Sequence, residues 1–386
     1  MPVDLGNDTF NEQFEQLYKA PAQAISAAPG RVNLIGEFTD YNQGFVLPCA
    51  LEFNTRILFR KRNDDHVIVH SLHYPGERDE FSVDGEISHG DSQWGNYIRA
   101  VAYVFKRQGH KLCGVDLLID SNVPQGSGLS SSAALEVAVG GVFNHLCQLN
   151  LSGEMIALLG QQAENDFMDC QCGIMDQLVS ANGKKGQALL IDCQSLATEL
   201  IAIPEDLSLV IVNSNYPRKL VDSEYNQRRI DCEQAAKKMS VASLRDATLE
   251  KLTAARPAMS GNEYKRAHHV ITENLRVINA TNALKQNDMQ RLREQMTASH
   301  QSLKHDFEVT VPETDGLVEI CQTALGDRGA VRMTGGGFGG AIVCLCRHDD
   351  IAKIKAAVEE KYFARFNIHA SIYVGKAGNG LQVRPL

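Results

Sequence analysis

One stretch constrains this chain more than any other: Asn122-Val-Pro-Gln-Gly-Ser-Gly-Leu-Ser-Ser-Ser-Ala-Ala-Leu135. The apolar run before it, Val115-Asp-Leu-Leu-Ile-Asp120, reads as a strand, and Ala133-Ala-Leu-Glu-Val-Ala-Val139 after it is rich in helix formers. The order is strand, Gly/Ser loop, helix start. The first turn of a helix has free N–H groups and the positive end of the macrodipole, so this order suits an anion. Gly126 and Gly128 lack a Cβ, which lets a ligand approach the backbone and permits positive φ. Ser130, Ser131 and Ser132 can cap the helix or point hydroxyls at a phosphate or a metal. A plain Gly/Ser turn with an N-cap uses the same residues. No Gly-Lys-Ser/Thr follows the glycines, so the loop is not a Walker A motif.

The length of 386 residues predicts two domains of ordinary size. Apolar residues at 44% and charged residues at 22% fit a soluble globular chain. A net charge of −9 argues against a general nucleic-acid binder. No apolar run reaches the ~18 residues of a spanning helix, so no membrane partner is expected. The first twenty residues are acidic and polar, without the basic and apolar regions of a signal peptide. Ten cysteines in a chain this long need not be staples; free thiols and a cytoplasmic location are expected. Cys170-Gln-Cys172 and Cys344-Leu-Cys346 lack metal-site spacing.

Along the chain, residues 8–20 predict a helix with Phe10, Phe14 and Leu17 on one face. A strand through Val32 and Leu34 breaks at Gly36, and residues 36–44 read as a polar loop. Strands are expected over 45–62, 65–72, 188–193, 207–213 and 370–375, and helices over 94–107, 155–168, 223–239, 265–284, 288–303 and 350–365. Residues 194–206, with Pro204, are expected near a domain boundary. Strands and helices mix in both halves without regular βα alternation, an α/β fold of the α+β kind.

Three constellations carry chemistry. Gly335-Gly-Gly-Phe-Gly-Gly340 satisfies GxGxxG, but Ala341-Ile-Val-Cys-Leu-Cys346 follows it as a strand where a dinucleotide site needs a helix. A glycine hairpin packed on another loop is the better reading. Glu37, Asp40 and Tyr41 form an acidic loop whose carboxylates suit vicinal sugar hydroxyls, unless it is a solvated turn. Gly173-Ile-Met-Asp176, with Glu164 earlier, offers either a helix cap or the carboxylates that phosphoryl transfer from ATP and Mg²⁺ uses; Arg31 is a fitting cationic partner.

Taken together these residues resemble the bacterial galactokinases, within the family that also groups homoserine, mevalonate and phosphomevalonate kinases. Gly30-Arg-Val-Asn-Leu-Ile-Gly-Glu37 with Thr39-Asp-Tyr41 is similar to the galactokinase sugar signature. Pro124 to Ala134 is similar to the shared ATP-phosphate loop, and Thr334 to Gly340 to the third motif, which packs beside that loop. The similarity runs through nearly the whole chain, in the family's order.

The resemblance implies two mixed α/β domains, 1–205 and 206–386, with the active site in the cleft between them. It implies an ATP- and Mg²⁺-dependent transfer of phosphate to the C1 hydroxyl of galactose; a monomer is expected. Asp176 would orient or deprotonate that hydroxyl, and Arg31 would steady the phosphoryl group. Glu37, Phe38, Asp40, Gly173, Asp176 and Tyr225 (in Ser223-Glu-Tyr-Asn226) would meet the sugar. Pro124, Gly126, Ser127, Gly128, Leu129, Ser130, Ser131, Ser132 and Ala133 would meet ATP, and Ser130 and Glu164 the Mg²⁺. The alternatives are a kinase for a related sugar such as N-acetylgalactosamine, or a non-catalytic sensor, against which the intact phosphate loop and Asp176 argue. One position departs from the family: Phe38 stands where a His is usual, and Phe can neither donate nor accept a hydrogen bond. Weaker galactose binding is expected, unless Phe38 packs behind the loop and a neighbour supplies the contact.

Overall fold

The computed structural model of the protein describes residues 8–124, 126–217 and 221–386; Gln125, inside the Gly/Ser stretch, lies outside them. The first half begins with α1 (Asp8–Tyr18), β1 (Ala24–Asn33), β2 (Phe45–Val46), β3 (Pro48–Lys61), β4 (His66–Ser71) and β5 (Arg78–Ser82). Then come α2 (Gly95–Arg107), β6 (Val115–Ser121), α3 (Ser131–Leu146), α4 (Gly153–Asp166), α5 (Met175–Asn182), β7 (Gln187–Asp192) and β8 (Thr198–Ala202). The second half opens with β9 (Leu207–Asn213) and runs through α6 (Val221–Lys238), α7 (Leu249–Ala255), α8 (Gly261–Lys285), α9 (Met289–Ser302) and α10 (Pro312–Leu325). It closes with β10 (Gly329–Thr334), β11 (Ala341–Arg347), α11 (Ile351–Phe366), β12 (Ser371–Gly375) and β13 (Gln382–Pro385). Among the described residues no helix is long and apolar enough to cross a membrane.

The expected mix of strands and helices is present. A six-stranded sheet has the order β13-β1-β3-β6-β4-β5, with only the β4–β6 pair parallel. A four-stranded antiparallel sheet has the order β10-β11-β9-β12. A third sheet, β2-β7-β8, places residues 198–202 in a hairpin with β7, inside the segment expected near a boundary. Helices α2 to α5 bury their apolar faces against the large sheet, joining Ile98, Phe105, Phe143 and Ile156 to Ile57, Phe59 and Leu117. Helices α10 and α11 cover one face of the four-stranded sheet through Leu317, Cys321, Ile354 and Tyr362.

The two halves share a core. Leu34, Leu47 and Leu51 of the first meet Leu209, Ile211, Val277, Val343 and Leu345 of the second. That contact fixes the cleft's walls, and β13 carries the end of the chain back to β1. One expectation on α1 is corrected. Leu17 is 44% exposed, and Tyr18 turns inward instead, its hydroxyl donating to the Leu117 carbonyl at 2.6 Å. Phe10, Phe14 and Tyr18 form one row of i+4 steps, which is the stripe the helix lays on the sheet.

Candidate active site

Strand β6 delivers the chain into the Gly/Ser loop, and α3 begins at Ser131 beyond it. Gly126 and Gly128 take φ of 68° and 75°, the left-handed values that their lack of a Cβ makes accessible. Ser130 is also left-handed, at φ 59°. Its hydroxyl does not cap α3 but donates to Asp176 Oδ2. The side chains of Ser127 and Ala133 are 1% exposed and face protein; Ser127 Oγ ties the loop to the Pro124 carbonyl at 2.6 Å.

Asp176 sits in the first turn of α5, not as a cap but as the partner of Arg31 on β1. The pairing is bidentate: Arg31 Nε donates to Oδ1 at 2.6 Å and Nη2 to Oδ2 at 2.7 Å. The same guanidinium donates from Nη1 to the Gly128 carbonyl at 2.6 Å, and the Arg31 amide donates to Leu129 O at 3.0 Å. One arginine therefore joins the carboxylate to the loop backbone.

The acidic loop is a buried structure rather than a solvated turn: Glu37 is 2% exposed and Phe38 4%. Glu37 forms an ion pair with Arg332, Nη2 to Oε2 at 2.5 Å, and accepts hydrogen bonds from Asn33 Nδ2 at 2.9 Å, the Gly335 amide at 3.0 Å and Thr334 Oγ1 at 3.1 Å. Burial pushes its carboxyl up, and the Arg332 guanidinium opposes that push. Asp40 is pushed up to about 6 by burial and by the charge of Asp176. It lies so close to Gly173 that a Cβ there would stand 2.0 Å from Asp40 Oδ2. Phe38, at φ 64°, stacks on Phe307 with ring centroids 4.5 Å apart and leans on Tyr225 of α6 at 5.8 Å. Helix α8 supports the loop from beneath: Glu273 accepts the Gly36 amide at 3.0 Å, Asn274 accepts the Phe45 amide at 2.9 Å, and His269 Nε2 donates to Glu37 O at 3.1 Å.

These pieces enclose a cavity of about 340 Å³. Its wall includes Arg31, Glu37, Phe38, Asp40, Gly173, Asp176 and Tyr225, together with Pro124, Gly126, Gly128 and Leu129 to Ser132 of the loop. Gly335 of the β10–β11 hairpin overhangs it; a Cβ there would stand 3.5 Å from Gly128 O. That hairpin is antiparallel, so the dinucleotide reading of its glycines falls: no helix N-terminus follows them.

Glu164 lies behind the loop, not on the cavity wall. Its carboxylate receives Gln177 Nε2 at 2.9 Å and the Cys172 thiol at 3.1 Å. Glu136 of α3 accepts from the same Gln177 Nε2 at 3.0 Å. Burial raises both carboxyls, and Glu136 Oε1 and Gln177 Oε1 have no partner. Ser130 is engaged with Asp176 instead.

Sequence reasoning missed a second cavity, of about 250 Å³, on the far side of Ser131 and Ser132. Tyr74 and Trp94 stack there nearly parallel, 8° apart with centroids at 5.8 Å, beside His73, Tyr97 and Leu135. The signal available was Trp94, the chain's one tryptophan.

Comparison with known proteins agrees with this geometry. The galactokinase galactose-binding signature matches residues 12–61, the GHMP kinases N terminal domain 96–184 and the GHMP kinases C terminal domain 280–364. The structure of Lactococcus lactis galactokinase complexed with galactose superposes with a TM-score of 0.93 at 35% identity, over 97% of this chain and 98% of that one. The chain belongs to the galactokinase family. The fold extends to more distant members. Methanococcus jannaschii mevalonate kinase gives a TM-score of 0.61 at 17% identity, over 93% of this chain and 99% of its own. Cytophaga hutchinsonii homoserine kinase gives 0.62 at 17%, over 94% and 98%.

Proposed function

We propose that this protein transfers the γ-phosphoryl group of ATP to the C1 hydroxyl of α-D-galactose, giving galactose 1-phosphate and ADP. The observation that carries the reading is the bidentate Arg31–Asp176 pair bonded to the phosphate loop, in a cavity that also holds Asp40 and Tyr225. Phosphoryl transfer needs alignment and charge stabilisation more than covalent help. The α3 N-terminus and the loop amides would receive the phosphates. Asp176 would take the hydrogen bond of the C1 hydroxyl, and Arg31, bonded to both oxygens of that carboxylate, would face the transferring group. Asp40 and Tyr225 would fix the other hydroxyls. The stacked Tyr74–Trp94 pair would flank the nucleotide base, since its cavity opens onto the same serines.

Mg²⁺ fits this donor set. Glu164 and the hydroxyls of Ser130 and Ser132 are hard oxygen donors, and Glu136 Oε1 and Gln177 Oε1 are buried oxygens without partners. Among the described residues no cluster of three or more His, Cys, Asp or Glu is placed to hold a metal. Mg²⁺ would be held by one or two protein oxygens plus substrate phosphates. When bound it would neutralise charge on the phosphates.

The test is coupled ADP release from ATP and Mg²⁺ with galactose, 2-deoxygalactose, N-acetylgalactosamine, glucose and 6-deoxygalactose. Galactose-dependent turnover that is lost in Asp176→Ala is expected. Binding of galactose and ATP by calorimetry without turnover would overturn it in favour of a sensor.

A further inference from the structure

Two cysteines that phosphoryl transfer does not use stand in contact. Cys113 Sγ and Cys147 Sγ are 3.4 Å apart, and both residues are partly exposed. Cys113 lies just before β6, and Cys147 immediately follows α3. The pair therefore closes the base of the strand–loop–helix unit whose other end is the phosphate loop. We propose that Cys113 and Cys147 are a thiol-oxidation site that forms a reversible intramolecular disulfide on exposure to a hydroperoxide.

The geometry favours linkage over other fates. A disulfide needs the sulfurs to close by roughly 1.4 Å, from contact to about 2.05 Å. Neither residue is inside a helix or strand, so small side-chain rotations and loop adjustment are available. The chemistry is also polarised. The Cys147 hydrogen bond holds Cys113 below the ordinary thiol range, at about 7, with help from the Lys61 charge, while the same bond raises Cys147. The sulfur contact lets one thiol donate to the other, and the lowered Cys113 is the partner that more readily forms the thiolate. The Cys113 thiolate attacks one peroxide oxygen, the O–O bond breaks, and Cys113 becomes a sulfenic acid as hydroxide leaves and takes a proton. Cys147 then attacks that sulfur, displacing a second hydroxide that leaves as water with the Cys147 proton. Two thiols are oxidised and one peroxide is reduced; with hydrogen peroxide, two waters form.

The site is remote from the chemistry. Helix α3 has 16 residues, so it sets the crosslink about 24 Å from the loop. The bond closes a long chain loop, |i−j| = 34, which restricts the unfolded ensemble.

The experiment oxidises the reduced full-length protein with equimolar hydrogen peroxide, blocks remaining thiols, and maps peptides without reduction. A linked Cys113–Cys147 peptide, two hydrogens lighter than the free pair, is expected. The apparent Tm should rise by on the order of 5 °C and return on reduction. Cys113→Ser and, separately, Cys147→Ser should remove both effects. Oxidation of Cys172, which lines the active cavity, is scored separately: activity loss shared by wild type and Cys113→Ser belongs there. Recovery of Cys113 as a sulfinic acid, or of Cys147 still alkylatable after peroxide, would overturn the proposal.

Discussion

Single residues decide how the sugar is held, and Phe38 is the test case. Its ring is both cavity wall and core, stacked on Phe307. Histidine tolerates the left-handed φ of 64° found there. Phe38→His should restore a polar contact and lower KM for galactose about tenfold, while costing about 1 kcal/mol of stability through the lost aromatic stack. An unchanged KM would show that a neighbour already serves that hydroxyl. Gly173→Ala would drive a methyl into Asp40 Oδ2. KM for galactose should rise with KM for ATP unchanged, as steady-state kinetics would show. Asp40 itself gives a pH signature. Its folded value, about 6, lies above the ordinary 3.8, so the folded state keeps a proton that the unfolded state has lost. The associated stability is fully present below about pH 4 and is lost as pH rises through about 6. If the ionised Asp40 carboxylate accepts from the sugar, as proposed, galactose affinity moves the other way: binding should weaken as pH falls through about 6, and Asp40→Asn should flatten both profiles.

Elements matter where one helix supports a loop it never adjoins in sequence. Helix α8 supports residues 36–45 through Glu273, Asn274 and His269. Glu273 is fully buried, and although burial opposes it, Arg276, His269 and Arg332 hold its carboxyl down at about 2. Its folded value is depressed, so its stabilisation is present above pH ~4.5 and is lost as pH falls toward 2. Glu273→Ala leaves Arg276, the Ser299 hydroxyl and the Gly36 amide short of a partner. Urea unfolding should show a loss of roughly 3–5 kcal/mol. None of this was legible beforehand. The periodicity of residues 265–284 announced a helix, but not which loop its buried acid would serve. Short elements were harder still. Strand β5 and helix α7 offer too few residues for a period to register, and β13 owes its form to its partner β1.

At the scale of the whole molecule, the cleft exists because the halves are joined by a common core and by a returning strand. Fragment 1–205 would lack β13 and would expose the Leu34, Leu47 and Leu51 surface that β9 and β11 cover. Expressed alone, it should fail to unfold cooperatively by circular dichroism, whereas the intact chain should show one coupled transition. A cooperative fragment would mean that the interface is dispensable.

The sequence by itself determined the phosphate loop, the sugar signature, the glycine hairpin and most long helices, because each depends on neighbours a few residues away. It also marked Arg31 and Asp176 as partners in charge, though 145 residues separate them. Only the tertiary structure decided that Ser130 belongs to Asp176 and Gln177 to Glu164, and that Glu37 is paired with Arg332 beneath the hairpin. It alone decided that Tyr74 meets Trp94 beside the loop. These are contacts between distant segments, and burial sets their strength. Local pattern carries the identity of a side chain but not the dielectric around it or the partner across the cleft, and those come into being only when the chain closes on itself.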